Sequence, residues 1–134
     1  MKYKKEKDIV VKLFKSENPD ELIYVIRTPN HHTGNLITNL AKLANAITDG
    51  PVLMAAKSHL RNQKPALVGI STNDGLGASA KNIGLLLNTK YYFFIPFGQD
   101  DPIKKPNSLV CHSEFIVDSV EHALRHEQIQ PILV

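Results

Sequence analysis

Apolar and polar positions along this chain follow two rhythms. Leu22 to Ile26, Ala66 to Ile70 and Tyr91 to Phe97 are continuous apolar runs rich in β-branched or aromatic residues. Thr28-Pro29 bounds the first, and the second lies between Pro65 and Ser71-Thr72-Asn73-Asp74-Gly75. Runs of that length and punctuation predict strands buried on both faces. Between them the period lengthens. Leu36, Leu40, Leu43 and Ile47 recur at helical spacing, with Thr33 or Asn35 placed to cap the first turn and Asp49-Gly50-Pro51 to stop it. Leu76, Ala80, Ile83 and Leu87 form a second helical stripe.

Other stretches are less decided. Ile9, Val10, Leu13 and Phe14 suit one face of a helix, although Asp8 to Lys15 also reads as strand. Val52 to Ala56 fits strand or helix, and His59 to Gln63 reads as exposed. Gly98 to Asn107 reads as a loop stiffened by Pro102 and Pro106, and Phe115 to Val117 as a last short strand. Ser119 then opens a closing helix with Val120, Ala123 and Leu124 inward. Alternating strands and helices predict an α/β fold with a mostly parallel sheet covered by helices.

Composition narrows the function classes. With 134 residues, 43% of them hydrophobic, the chain can bury the core of a single domain. The formal charge of +3 owes much to the four lysines among residues 2–7, a pattern typical of a solvated terminus. There is no tryptophan and no arginine-rich stripe, which argues against nucleic acid. No apolar run approaches the roughly 20 residues of a membrane span, and the single cysteine, Cys111, excludes an internal disulfide. The expected setting is cytoplasmic, with Cys111 as buried filler.

In a parallel sheet, ligands collect where strand carboxyl ends lead into helix N-termini. Two loops fit that position. Thr33-Gly34-Asn35 combines a close-approach glycine with a hydroxyl and an amide, and Ser71-Thr72-Asn73-Asp74-Gly75-Leu76-Gly77 stands between a strand and a helix. Either loop alone is also an ordinary turn and cap; both at one sheet edge point to a cofactor pocket. His31 and His32 sit in the first loop, where an imidazole can act as acid or base near neutral pH, or simply face solvent. His59, His112, His122 and His126 lack the spacing of a metal site, and none is expected. Asp100-Asp101 with Lys104-Lys105 reads as a solvated loop whose charges compensate.

These loops also carry a resemblance. Thr33-Gly34-Asn35, Lys42 to Asp49, Pro51 to Lys57, Ile70 to Gly77, Phe94 to Pro102, Lys104 to Val110 and Gln130 to Leu133 resemble, in order and wording, the family of the dipicolinate synthase B subunit. The likeness covers about residues 22–134 and leaves 1–21 as a divergent N-terminal segment. It implies a three-layer flavodoxin-like fold of the FMN-dependent flavoprotein superfamily, homo-oligomers of three or multiples of three, and a dehydrogenase-like partner, the A subunit of dipicolinate synthase. With that partner and its NAD(P), the family role is oxidation of a small dihydrodipicolinate-type precursor to dipicolinate during sporulation. By position, Thr33, Gly34 and Asn35 match a flavin-contacting loop, and Ser71, Thr72 and Asn73 a second loop beside it.

The sequence departs from the family in two places. Residues 1–21 contain no glycine, so nothing there corresponds to the family's Gly-Thr-Gly-Ser-type phosphate loop or to the strand before it. The FMN phosphate would lose its main anchor, and the sheet would keep an open edge or assemble differently. Asn30-His31-His32 also intervene before Thr33, near one helical turn of extra chain. Three expectations follow: an oxidoreductase component of dipicolinate synthase, a non-catalytic assembly module that binds no flavin, or a flavin-dependent decarboxylase of the same superfamily.

Overall fold

A computed structural model describes residues 2–6, 9–15, 22–28 and 39–134. Strands β1 (Lys2–Glu6) and β2 (Ile9–Lys15) form an antiparallel pair, and β2 pairs antiparallel with β3 (Leu22–Thr28). The helical reading of Ile9 to Phe14 therefore gives way to strand, consistent with the β-branched Ile9, Val10 and Val11. The edge of β3 expected to be open is occupied by β2.

Helices α1 (Asn39–Ala44) and α2 (Pro51–Arg61) precede β4 (Ala66–Thr72). The ambiguous Val52 to Ala56 stretch is helical. Pro51 sits at the start of α2, where its fixed φ suits a helix and its missing N–H is no loss. Strand β4 runs parallel to β3, and parallel to β5 (Tyr92–Phe94) after helix α3 (Ala80–Leu87).

The stretch expected as a loop after Phe97 is mostly a hairpin. Strand β6 (Phe97–Asp101) turns back into β7 (Lys105–Cys111), which pairs antiparallel with the end of β4. Asp101 makes this turn: its Oδ1 accepts from the amides of Ile103 and Lys104 at 3.2 and 3.1 Å. Phe115 to Val117 is not a strand. A 3-10 turn over Ser113–Phe115 runs directly into α4 (Ile116–Leu124), so the closing helix starts three residues before Ser119.

The sheet is thus mixed, in the order β1-β2-β3-β4-β7-β6, with β5 also on β4. Its parallel part, β3-β4-β5, is flanked by antiparallel pairs. Residues alternate across β4, as strand geometry requires. Ala66, Val68 and Ile70 face a core shared with Leu40, Leu43, Leu53, Ala56, Ile83 and Leu86, whereas Leu67 faces Ile95, Val120 and Ala123. Helices α1, α2 and α3 therefore cover one face and α4 the other, giving three layers.

Three helices end in the same way. After α1, α2 and α4, the residues Ala46, Gln63 and His126 adopt left-handed backbone with φ of 58°, 57° and 58°. At each end the following amide reaches back to the helix: Ile47 to the carbonyl of Lys42, Lys64 to His59 and Glu127 to His122, at 2.8–3.0 Å. Glycine is the usual residue at this position, and none of the three is glycine.

Candidate functional site

The parallel register of β3 and β4 sets the geometry of the candidate site. Thr28 is paired with Ile70, so both strands deliver their carboxyl ends to the same edge of the sheet. Ser71, Thr72 and Asn73 leave β4 there. His31, His32, Thr33, Gly34 and Asn35 belong to the stretch after β3 and lie outside the described residues. Strands β3 and β4 thus end side by side at this edge.

The second loop is braced from within. Thr72, largely buried, donates its hydroxyl to Asp74 Oδ1 at 2.5 Å, and the Ser79 hydroxyl donates to the same oxygen at 2.8 Å. The carbonyl of Asp74 accepts from the amides of Gly77 and Ser79, and the amide of Leu76 donates to the carbonyl of Asn107 at 3.0 Å. Gly75 packs so closely on Leu109 that a Cβ would stand 2.6 Å from that side chain. Local turn chemistry and contact with β7 thus fix the loop together. Asp74 belongs to the loop singled out from sequence but without a role of its own, and Ser79 and Asn107 were given none; the signal was Asp74 standing just ahead of the apolar stripe that begins at Leu76.

This bracing decides which side chains can meet a ligand. The Thr72 hydroxyl is directed at Asp74, whereas Asn73 is exposed at the tip and Ser71 is half-buried beside β7. A carboxylate at the centre of the loop, with the amides of Leu76, Gly77 and Ser79 already donating to carbonyls, is a poor cradle for a phosphate. Asn73 carries an amide and Ser71 a hydroxyl, each a group that can both donate and accept.

The remaining candidates separate. Lys105 Nζ lies 3.7 Å from Asp100 on the exposed hairpin, the self-compensating arrangement read from sequence. His122 Nδ1 donates to the carbonyl of Asp118 at 2.8 Å, while His126 sets its ring edge-on to Tyr91. Among the described residues, no three His, Cys, Asp or Glu side chains gather in a metal-holding group. Cys111 is partly buried and packs against the cores on both sheet faces. His59, expected to be exposed, is 6% exposed on α2, and its Nδ1 lies 2.7 Å from the carbonyl of Pro65. The signal missed was its three-residue spacing from the buried Ala56. No described helix is long and apolar enough to cross a membrane.

No family model matches the chain. Among curated proteins it is similar to the B subunit of dipicolinate synthase from Bacillus subtilis (strain 168), with 57% identity over 102 residues, 76% of this chain and 50% of that protein. Among solved structures it is similar to the dipicolinate synthase B subunit from Bacillus halodurans C, with a TM-score of 0.70 and 57% identity, covering 71% of this chain and 49% of that one. The chain spans about half the length of these relatives. At that identity, with the α/β architecture matching as well, the chain belongs to the family of the dipicolinate synthase B subunit.

Proposed function

We propose that this chain serves as the flavoprotein-type component of a dipicolinate synthase. In this reading it works with a dehydrogenase-like A subunit that supplies NAD(P) chemistry, and the pair oxidises a dihydrodipicolinate-type precursor. The observation that carries the reading is the 57% identity to the B subunit over 102 residues, combined with two strand exits at one sheet edge.

The residues at that edge have limited roles. Asn73 and Ser71 hold a ring edge through hydrogen bonds, with Asp74, Thr72 and Ser79 keeping the loop in shape. Thr33, Gly34 and Asn35, which follow β3 in the chain, are the flavin contacts that the family resemblance implies, and His31 or His32 is the candidate proton carrier. FMN, when bound, would supply a redox-active ring. The described loop suits that ring edge and not the phosphate, so no reaction step is assigned through it. The consumed amides and the Asp74 carboxylate also favour a second reading, an assembly module of the synthase without flavin of its own.

Visible-absorbance titration with FMN distinguishes them. The first reading expects saturable binding that Asn35→Ala and Asn73→Ala each weaken about tenfold, as the loss of one or two ring hydrogen bonds would. Unchanged affinity in both variants rejects the pocket. Absence of binding by the folded protein, with retained association with the dehydrogenase-like partner, selects the assembly module.

A further inference from the structure

A separate cavity of about 380 Å³ opens at the other end of the parallel strands, between the start of β5 and the chain after α4. Strand β4 is seven residues long, about 20 Å from end to end at the usual rise, so this cavity and the Ser71 loop are distinct. Its volume lies in the range of small-molecule pockets.

The walls are aromatic. Tyr91, Phe93 and His126 line it, with the His126 ring nearly perpendicular to both others at centroid distances of 5.5 and 6.4 Å. Tyr91 occupies the third position of a turn closed by the amide of Tyr92 on the carbonyl of Thr89, with a φ of 75° that normally calls for glycine. The left-handed backbone of His126 belongs to the end of α4; that of Tyr91 follows no helix cap. A bulky ring held in a strained turn at a cavity mouth is the kind of feature that ligand sites retain.

The lining holds several neutral polar groups, the Tyr91 and Tyr92 hydroxyls among them, and one lysine. The Gln128 amide is occupied by Phe94 and Ile129, and the Thr89 hydroxyl by Leu85. The cation is Lys90, whose ammonium stands 5.3 Å from the Tyr91 ring centroid and pairs with no carboxylate among the described residues. The His126 ring nitrogens form no hydrogen bond among the described residues either. One cation above an aromatic wall, without a counter-charge, complements a flat ring bearing one negative group.

We infer that this cavity is a second ligand site, specific for a small aromatic monoanion seated on Tyr91, Phe93 and His126 with its charge at Lys90. The test uses 2-naphthalenesulfonate and neutral 2-naphthol as probes, followed by NMR shifts of the His126 and Tyr91 rings in the full 134-residue chain. The expected result is saturable binding of the sulfonate at sub-millimolar Kd, about tenfold tighter than 2-naphthol. Lys90→Gln should remove that preference and leave 2-naphthol unchanged. Tyr91→Gly, which suits the turn and keeps the fold, should weaken both probes, and Asn73→Ala neither. No saturable shift at His126, equal binding of the two probes, or a preference that survives Lys90→Gln would overturn the assignment.

Discussion

Gln128 pairs with the backbone of Phe94 as if it were a neighbouring strand. Its Oε1 accepts from the Phe94 amide at 2.7 Å, and its Nε2 donates to the Phe94 carbonyl at 2.8 Å. A single side-chain amide thereby satisfies both polar groups of a residue that is 1% exposed.

Removing that amide should be costly. Gln128→Ala leaves a buried donor and a buried acceptor without partners, and is expected to destabilise by about 2–4 kcal/mol. Gln128→Glu keeps the acceptor for the Phe94 amide but sets a carboxylate against the carbonyl, and should also destabilise. Urea unfolding midpoints measure both; a Gln128→Ala change within about 0.5 kcal/mol would mean that the contact is solvated.

Ser119 presents the opposite case. Its hydroxyl is buried on α4 and finds no hydrogen-bond partner among the described residues. Ser119→Ala deletes an unsatisfied oxygen at almost no change in shape, so stability should rise by about 1 kcal/mol. Thermal unfolding reads the change, and a drop in Tm would indicate that the hydroxyl is paired in solution.

Acid should act through His59. Burial lowers its pKa below the ordinary 6.5; the Pro65 carbonyl opposes that shift, and nearby Lys64 adds to it. Because a carbonyl only accepts, Nδ1 carries the proton of the neutral ring. The unfolded chain binds a proton near pH 6.5, before the folded one does. His59 thus contributes full stability above about 6.5 and loses it as pH falls from there through the folded pKa. Stability measured from about pH 8 to pH 5 should decline less steeply in His59→Gln, relative to its own starting value, than in the parent chain. An identical slope would exclude His59 as the source. At the alkaline end burial raises Tyr92 to about 12 from the ordinary 10.0. Here the unfolded chain gives up its proton first, so the Tyr92 contribution is one of lost stability as pH rises from about 10 through the folded value.

The non-glycine helix ends offer a gain. Gln63 is exposed, and its φ of 57° carries the strain of a side chain in left-handed backbone. Gln63→Gly should stabilise by about 1 kcal/mol, whereas Gln63→Val should destabilise by at least as much. Paired urea melts test the sign. If glycine lowers stability, unfolded-chain entropy outweighs the relief of strain.

Sequence alone carried the parallel centre of this fold, because Leu22 to Ile26 and Ala66 to Ile70 are apolar on both faces and sharply punctuated. The antiparallel flank was harder to see. Strand β7 begins Lys105-Pro106-Asn107, residues that signal a turn, and becomes a strand through its pairing with β6 and β4. Phe115 to Val117 is too short for its apolar content to distinguish strand from the start of an amphipathic helix. At the candidate site, the chain position of Ser71 to Asn73 was legible, since strand-to-helix loops are marked by composition. The capture of Thr72 and Ser79 by Asp74, and the grip of Asn107 on Leu76, depend on how the loop closes and on a strand far along the chain.

Strand β4 has a consequence for the order in which the molecule opens. On one side it holds β3; on the other it holds β5 along Ala66 to Val68 and β7 at Ser71 and Thr72. Local release of either antiparallel flank leaves at least one partner on β4, and its central side chains remain in both cores. Amide hydrogens of Leu67 to Ile70 should therefore exchange with solvent only through global unfolding, and those of the β6–β7 turn through local fluctuation.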